Sequence, residues 1–273
     1  MDTPSFNDFQ KIIWNYYASN GRHFDWRGVD DPYKVFVSEI MLQQTQTARV
    51  AQKYPQFLQA FASFEQLANA SLKDVLLQWQ GMGYNRRGMY LHKAAHIIVK
   101  DFGGQLPNDP AILVELPGIG PATAASMCAF AYNNPTLFIE TNIRAVYIYF
   151  FFVGKEKVHD KEIMPLIEAT LDYDNPREWY YALMDYGVML KKTIINPSRK
   201  SKHYTKQSKF EGSDRQIRGK ILKILTTSSG PIAIQKLTDM IDKDHVRINK
   251  IIDQMILEKL IWLDFQGKLL IFG

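Results

Sequence analysis

One stretch of the sequence combines backbone groups that can bind a phosphate with a carboxylate a short distance along the chain. The segment Leu116–Ala124 (LPGIGPATA) predicts a helix-hairpin-helix. A helix ends at Leu116, two glycines allow a tight turn, and Pro121 begins the next helix, whose unpaired N–H groups suit a phosphate. Glu140 stands at the entrance to a further helix about twenty residues later. This combination suggests an enzyme that acts on DNA, although a plain helix-turn-helix corner would use the same turn residues.

Most of the chain has the apolar spacing of α-helices, so the sequence predicts a mainly α fold. Breaks between helices are expected at 103–104, 133–135 and 196–198, where glycine, asparagine and proline cluster. The predicted helices up to residue 191 cover 9–18, 33–44, 48–61, 64–69, 72–79, 86–101, 110–116, 121–132, 142–152, 161–171 and 176–191.

The last part of the chain has a different pattern. Helices are predicted over 217–225, 234–241 and 246–260, followed by a β-hairpin with strands at 261–265 and 268–272. Three helices and a hairpin resemble a winged-helix domain. The third helix mixes acidic and basic residues, so protein docking or plain packing stays as open for it as base recognition.

The composition excludes several classes of protein. With 273 residues, 46% of them hydrophobic and 22% charged, the chain can bury a full core and should form two or three domains. We see no apolar run long enough to cross a membrane and no signal peptide in the polar residues 1–10. The single cysteine, Cys128, excludes an internal disulfide, which fits a reducing compartment. We therefore expect a cytoplasmic protein.

Positive charge is concentrated in residues 191–223, which carry eleven Lys or Arg against two acidic residues, although the whole chain has a net charge of only +5. A polyanion is the natural partner of this basic run, and the affinity should fall with salt. A solvated linker is the alternative, but Tyr204 and Phe210 within the run argue against it. The predicted phosphate contacts of the run are Lys200, Lys202 and Lys206.

Four motifs stand in the order found in one enzyme superfamily: Trp26-Arg27, 38–46 (SEIMLQQTQ), 81–84 (GMGY), and the hairpin with its following carboxylate. On these motifs, residues 24–190 resemble the helix-hairpin-helix (HhH-GPD) DNA glycosylases. The closest resemblance is to the A/G-specific adenine DNA glycosylases, which remove adenine mispaired with 8-oxoguanine.

The resemblance implies a two-lobed helical core with the DNA in the cleft between the lobes. It divides the chain into a six-helix domain with the hairpin at 28–132 and a second helical lobe made of 1–27 and 133–214. The winged-helix-like domain at 215–273 completes the chain. Double-stranded DNA is the implied partner, and we expect a monomer that is associated with the nucleoid.

The resemblance assigns catalytic roles to Glu39, Glu140 and Asn142. Cleavage of the bond between a purine and its sugar needs a proton on the departing base and an anion that faces the oxocarbenium-like sugar. Glu39 matches the general acid, and its apolar neighbours should raise the pKa of its carboxyl group. A position on the helix surface is the alternative. Glu140 matches the anion, for which relatives normally use Asp, and Asn142 matches a polar residue near the sugar or a helix N-cap.

Base removal also requires the target nucleotide to leave the duplex. The residues that match the family's intercalating groups are Gln43, Gln44 and Tyr84, and a buried core position is the alternative for the tyrosine. The residues assigned to the base pocket are Trp26, Arg27 and Tyr181. The phosphate contacts assigned outside the basic run are Gly118, Gly120, Thr123, Arg86 and Arg87, and a solvated helix start is the alternative for the two arginines.

The sequence departs from the family at three places. Ala122 stands where bifunctional relatives have a lysine nucleophile, so we expect hydrolysis without strand cutting. Relatives usually bind a [4Fe–4S] cluster through four cysteines, whereas 191–213 has none, so we expect no iron–sulfur cofactor and no metal site beyond a monovalent cation at the hairpin. The C-terminal region does not resemble the 8-oxoguanine-reading domain of the relatives.

The sequence therefore predicts a monofunctional DNA N-glycosylase of base excision repair. Adenine opposite 8-oxoguanine or guanine is the first candidate for the excised base. The second candidate is a deaminated or otherwise damaged base, such as hypoxanthine, uracil or mismatched thymine. A catalytically inactive DNA-binding protein is the alternative of another class, and the presence of both Glu39 and Glu140 argues against it.

Overall fold

The computed structural model describes residues 3–207, 209–241 and 243–272, and the fold is mainly α, as the sequence predicts. Residues 1, 2, 208, 242 and 273, which include the outer ends of two predicted domains and one position of the basic run, lie outside the described residues. The first helices are α1 (Phe6–Asn20), α2 (Pro32–Leu42), α3 (Thr47–Ala60), α4 (Phe64–Asn69), α5 (Leu72–Gln78), α6 (Arg86–Phe102) and α7 (Pro110–Leu113). The remaining elements are α8 (Pro121–Tyr132), α9 (Thr141–Phe151), α10 (Asp160–Thr170), α11 (Pro176–Thr193), a 3₁₀ turn (Pro197–Lys200), α12 (Asp214–Thr227), β1 (Ile232–Ala233), α13 (Ile234–Asp239), α14 (His245–Leu257), β2 (Ile261–Leu263) and β3 (Lys268–Ile271).

The helix bounds lie within about three residues of those predicted, and α8 has the predicted bounds. Helix α7 is shorter than expected because the chain tightens after Leu113, where the Glu115 N–H donates to the Ile112 carbonyl at 3.2 Å. The 3₁₀ turn lies where the sequence predicts only a break. None of the helices in the described ranges is long and apolar enough to cross a membrane.

The chain divides into two compact units. Unit 1 comprises Met1–Phe36, Pro107–Glu115 and Ile119–Lys206, and unit 2 comprises Val37–Leu106, Leu116–Gly118 and Gln207–Gly273. The predicted domain boundaries at 27, 132 and 214 stay predictions.

The core of unit 1 is aromatic and lies among α1, α9 and α11. The Phe9 ring centre lies 5.3 Å from that of Tyr147 and 6.0 Å from that of Trp179, and these three side chains are buried. The Tyr147 hydroxyl pairs with the Thr170 hydroxyl at 2.6 Å, so its polar atom is satisfied inside the core. The Phe9–Trp179 contact is edge-to-face, and ring contacts of this kind stabilise a core beyond the area that they bury.

Unit 2 joins the C-terminal region to the helices of 37–106 through one hydrophobic cluster. Leu72 and Leu76 of α5 and Met89 of α6 lie in the same buried cluster as Ile217 and Ile221 of α12. Polar contacts border this cluster, because Lys73 Nζ donates to the Ser228 carbonyl at 2.8 Å and Gln80 Nε2 donates to Thr226 Oγ1 at 2.7 Å. The C-terminal region therefore shares a core with α5 and α6.

The hairpin predicted near the C-terminus is present as β2 and β3. The two strands are antiparallel, with Ile261 opposite Ile271, and β1 adds a third strand that the sequence analysis missed, giving the order β1-β3-β2. Strand β1 has only two residues, which is too short for an alternating pattern to be visible in the sequence.

Candidate functional site

Glu140 caps helix α9 with its own side chain. Its Oε1 accepts hydrogen bonds from the backbone N–H groups of Asn142 at 2.7 Å and Ile143 at 2.9 Å, and its Oε2 accepts from Asn142 Nδ2 at 3.2 Å. These N–H groups belong to the first turn of the helix, which has no intrahelical acceptor for them. The carboxylate is therefore fixed in direction at the positive end of a helix dipole.

Asn142 is held from both sides in unit 1. Lys191 Nζ donates to Asn142 Oδ1 at 2.8 Å, while the Asn142 amide group donates to Glu140. A Cβ at Gly187 of α11 would lie 2.4 Å from the Asn142 carbonyl oxygen, so only glycine allows α11 to pack this closely against the start of α9. The N-cap alternative for Asn142 is wrong, because Glu140 occupies the cap position.

The structure adds Lys191 to this site, which the sequence analysis treated only as part of the basic run. Burial lowers the pKa of Lys191, while the Glu140 carboxylate raises it and Arg144 lowers it further. The 3₁₀ turn that follows α11 also contacts this region, because Ser198 Oγ donates to the Thr141 carbonyl at 2.9 Å. The start of the basic run is therefore tied to the first turn of α9.

Glu39 lies in the second half of α2 and is half-buried. The next residues, Ile40 and Met41, are fully buried, so the helix carries the carboxyl group at the edge of an apolar core. The placement fits a general acid better than a fully exposed helix position would. The raised pKa expected for this carboxyl group stays a prediction.

Arg87 requires a correction, because its side chain points inward rather than towards a phosphate. It is 9% exposed, and burial lowers the pKa of its guanidinium to about 10. Nη1 donates to the Ile40 and Met41 carbonyls at 2.8 and 3.0 Å. Nη2 donates to Thr45 Oγ1, to the Met82 carbonyl and to the Gly83 carbonyl. A guanidinium engaged with these oxygens is a structural clamp, and the sequence could not distinguish it from its exposed neighbour Arg86.

The clamp joins the two loops that carry the predicted intercalating residues. Gln44 and Tyr84 have backbone φ angles of 54° and 46°, a left-handed conformation that is rare for a residue as bulky as tyrosine. Such conformations persist only where the surrounding structure fixes them, and they cluster at functional loops. Gln43 Nε2 donates to the Gly118 carbonyl at 3.2 Å, which places the first loop against the hairpin turn. Tyr84 is half-buried, so the alternative of a buried core tyrosine is not supported.

The predicted base-pocket residues Trp26, Arg27 and Tyr181 lie together in unit 1, each less than 10% exposed. The Arg27 guanidinium lies 4.5 Å from the Tyr181 ring centre, and Tyr181 is stacked on Phe130. The assignment to a base pocket stays a prediction.

The acid that orients Arg27 is not among the residues predicted from the sequence. The Asp185 carboxylate accepts from Arg27 Nη1 and Nη2 at 2.9 and 2.8 Å and from Arg22 Nε at 2.7 Å. Burial would raise the pKa of Asp185, but the hydrogen bonds and charges of Arg27 and Arg22 lower it below its usual range. Asp185 and Arg27 are separated by 158 residues, so sequence spacing carried no signal of this pair.

The hairpin turn has the glycine that its backbone requires. Gly118 has φ +80°, and a Cβ there would lie 2.8 Å from the Tyr90 Cβ. Gly120 differs, because its φ is −90° and a Cβ would meet nothing within 4 Å. The turn itself therefore needs only the first glycine, and the second leaves open space where the exposed N-terminus of α8 begins. Thr123 lies in the first turn of this helix and is half-buried. The phosphate contacts assigned here stay predictions.

The basic run is divided between the two units. Residues 191–206 belong to unit 1 and residues 209–223 belong to unit 2. Several of its cations already have partners, since Lys200 lies 3.4 Å from Glu156 and Arg218 pairs with Glu258. Lys202 and Lys206 are exposed, and the Lys202 N–H anchors the backbone by donating to the Val158 carbonyl at 2.9 Å. The phosphate role of Lys200, Lys202 and Lys206 stays a prediction.

Arg86 is half-exposed and lies 3.6 Å from Glu258, so its assignment to a phosphate also stays a prediction. Within the described ranges, no group of His, Cys, Asp and Glu side chains is arranged to hold a metal ion. The single cysteine, Cys128, is buried in α8, and burial raises the pKa of its thiol to about 11.

Comparison with known proteins finds a family model and several relatives that match parts of the chain. Residues 37–169 match the model of the HhH-GPD superfamily base excision DNA repair protein. The chain is 33% identical over 184 residues to an adenine DNA glycosylase of Buchnera aphidicola subsp. Baizongia pistaciae, an alignment that covers 67% of this chain and 52% of the relative. It is 28% identical over 289 residues to an adenine DNA glycosylase of Mycobacterium tuberculosis, covering 92% and 90% of the two chains. The chain thus spans about half the length of the Buchnera relative.

Solved structures show the same fold. A thermostable thymine-DNA glycosylase aligns with a TM-score of 0.62 and 23% identity, covering 73% of this chain and 93% of its own. Endonuclease III in a non-covalent complex with DNA aligns with a TM-score of 0.57 and 13% identity, covering 67% of this chain and 86% of its own.

Proposed function

We propose that the chain, whose residues 37–169 match the HhH-GPD superfamily of base excision DNA repair proteins, belongs to that superfamily and is a DNA N-glycosylase. It hydrolyses the bond between a flipped-out base and its sugar in double-stranded DNA. The observation that carries the proposal is the carboxylate of Glu140, which is fixed in direction by the first turn of α9 and by Asn142. A preorganised anion stabilises the positive charge that develops on the sugar as the bond breaks.

Glu39 supplies the proton in this mechanism. A base leaves more easily when it is protonated, and a half-buried carboxyl group at the edge of an apolar core suits proton donation. Asn142 orients the sugar or the attacking water in this proposal, and its contacts with Glu140 and Lys191 support a fixed side chain. Trp26, Arg27 and Tyr181 form the base pocket, and Gln43, Gln44 and Tyr84 fill the gap that the flipped nucleotide leaves.

Adenine is the base that we propose, opposite 8-oxoguanine or guanine. The support is that the relatives matched over most of the chain are adenine DNA glycosylases. Deaminated or otherwise damaged bases are the alternative substrates, and a test over a panel of bases decides between them.

The protein acts without an iron–sulfur cluster. The family's cluster needs four cysteine ligands, and the sequence has a single cysteine, which lies within a helix of unit 1. The residues therefore do not fit the cluster, and no step of the mechanism uses it. We propose that the protein works as a cytoplasmic monomer on the nucleoid, with a monovalent cation as the one ion that the hairpin could take.

The reaction is hydrolytic, because Ala122 cannot act as the nucleophile of a strand-cutting enzyme. The experiment is a base-release assay over duplexes that each contain one mispaired or modified base, followed by analysis of the DNA product. We expect free adenine and an intact abasic strand that breaks only on alkali treatment. Release of a different base, and not of adenine, would show that adenine is not the substrate. A borohydride-trapped adduct at Lys191, the lysine that contacts Asn142, would show that the reaction passes through a Schiff base and is not purely hydrolytic.

A further inference from the structure

The C-terminal region of unit 2 contacts the predicted intercalating tyrosine directly. Arg215 Nη1, at the start of α12, donates a hydrogen bond to Tyr84 Oη at 2.9 Å, and its guanidinium lies 5.1 Å from the centre of the Tyr84 ring. Gln207 Nε2 donates to the same hydroxyl. The Arg87 guanidinium also lies near the ring, 5.6 Å from its centre. Tyr84 is therefore fixed through both its ring and its hydroxyl.

A second network ties the same loop to the C-terminal region. Glu258, just after α14, pairs with Arg218 of α12 and lies 3.6 Å from Arg86, two residues after Tyr84. Between these contacts lies a cavity of about 420 Å³. The cavity is lined by both loops and by the C-terminal region, including Gln43, Gln44, Tyr84, Arg215, Arg218 and Glu258.

We propose that Arg215 is a positioning residue for Tyr84, so that the C-terminal region forms part of the machinery that opens the duplex. The inference rests on the proposed glycosylase function and deepens it. A ring that enters a base stack must be held in one direction, because a freely rotating side chain loses conformational entropy when it inserts. Arg215 supplies a charged hydrogen bond and a cation–π contact, both of which are stronger than a neutral contact at a half-buried position.

Simple packing of the C-terminal region is the competing explanation for the contact. Packing of that region is already achieved by the hydrophobic cluster of α5, α6 and α12, to which neither Arg215 nor Tyr84 contributes. A packing role predicts a change in stability with no dependence on the DNA. A positioning role predicts a change in base release that depends on how hard the target nucleotide is to flip.

The test compares Arg215→Met, Tyr84→Phe and the double variant in single-turnover base release from a duplex. Removal of the guanidinium should slow release about tenfold, because it deletes a hydrogen bond from a charged group. Arg215→Lys, which keeps the charge, should restore part of the rate. In the Tyr84→Phe background the same arginine change should cost only about twofold, since the hydroxyl that it holds is gone. Lys236→Gln, which removes an exposed cation of the same region, is the matched control and should release base at the parental rate.

A second substrate separates positioning from packing. When the target base lies opposite an abasic site, it is already unpaired and flipping costs less. The defect of Arg215→Met should then shrink to about threefold or less, with KM little changed. Equal losses on both substrates, or equal losses in the parental and Tyr84→Phe backgrounds, would overturn the inference. Tyr84→Phe loses one oxygen and keeps the ring, so it tests the hydroxyl contact even if Arg215→Met is unstable. If the parental protein releases no base from any duplex, the proposed function fails instead.

Discussion

Units 1 and 2 each hold one of the two predicted catalytic carboxylates, and they fix it by different means. Glu140 in unit 1 is fixed locally, because the hydrogen bonds to its oxygens come from Asn142 and Ile143, two and three residues further along the chain. The helix that carries Glu39 in unit 2 is held at a distance, because carbonyls in the last turn of α2 accept from Arg87, nearly fifty residues away. We therefore expect changes near Glu140 to affect base release alone, whereas changes around Glu39 should affect both base release and the conformation of the loops.

The two sites also differ in conformational strain. Glu140 adopts ordinary extended backbone at φ −122°, as an N-cap residue should. The loops of unit 2 hold Gln44 and Tyr84 at positive φ, and Arg87 binds oxygens in both loops. A relaxed carboxylate suits a group that must keep one position during the reaction. A strained loop suits a group that must enter the DNA.

The largest expected effect is that of Glu39→Gln. The amide keeps the shape of the side chain but cannot donate a proton to the base, so base release should fall by on the order of 10²- to 10⁴-fold. DNA affinity should stay within about twofold of the parental value. The measurement is single-turnover release together with a binding titration, and Glu65→Gln on α4 is the control, because Glu65 is exposed. Release at the parental rate would show that Glu39 is not the acid.

The next largest effect concerns Glu140, the carboxylate that is fixed by its neighbours in the chain. Glu140→Gln removes the anion and should slow base release by on the order of 10²- to 10³-fold, because the positive charge on the sugar loses its counter-charge. Glu140→Asp should stay within about tenfold of the parental rate, since Asp caps helices well and is the residue normal in relatives. Both variants should unfold within about 1 kcal/mol of the parental protein in urea. A larger loss for Asp than for Gln would contradict an electrostatic role.

Arg87→Met tests the contacts, distant in sequence, that hold the end of α2 and the two loops of unit 2. The substitution leaves several carbonyl oxygens of both loops without their donor, so the free energy of unfolding should fall by about 2–4 kcal/mol. Arg87→Lys should recover part of this loss, because an ammonium group can reach fewer of the oxygens. Urea denaturation measures both. Arg86→Met, next to it and half-exposed, is the control and should change stability by less than about 1 kcal/mol.

Lys191 gives a pH test of unit 1. Its pKa is lowered in the folded protein, chiefly by burial, so the unfolded chain binds this proton more tightly. Stability contributed by this group should therefore rise with pH between the lowered folded pKa and the ordinary value of 10.5. In Lys191→Met this rise should be absent when the free energy of unfolding is measured against pH. An identical pH profile in the two proteins would show that Lys191 is not held in a buried position.

The smallest expected effect concerns the basic run. Changing Lys200, Lys202 and Lys206 to Gln should leave the melting temperature nearly unchanged, as for most surface substitutions. Each phosphate contact that is lost should flatten the slope of log affinity against log salt by about 0.9, with the base preference unchanged. A slope at the parental value would place these lysines away from the DNA and leave phosphate binding to the hairpin.

Much of the fold and part of the candidate site could be predicted from the sequence. Helical periodicity located most helices within about three residues, because local apolar spacing reflects which face is buried. Helix α8 is buried on all sides from Ala124 to Ala131, so its bounds followed instead from Pro121 and from the break at 133–135. The positions of Glu39 and Glu140 on their helices also followed from local pattern. The inward direction of Arg87 and the partner of Arg27 could not be predicted, because the residues that bind them are far away along the chain.

The sequence by itself determined which residue types stand at the positions from which the chemistry is predicted. Ala122 at the lysine position, a single cysteine, and a glutamate at the start of a helix are facts of composition and short-range order. Tertiary structure decided which of the cations are structural and which remain exposed. Arg87, Lys191 and Arg215 look alike in the sequence, yet their partners differ. Arg87 binds backbone carbonyls, Lys191 binds Asn142, and Arg215 binds Tyr84. A buried guanidinium or ammonium takes the acceptors that packing brings to it, and packing depends on contacts distant in sequence.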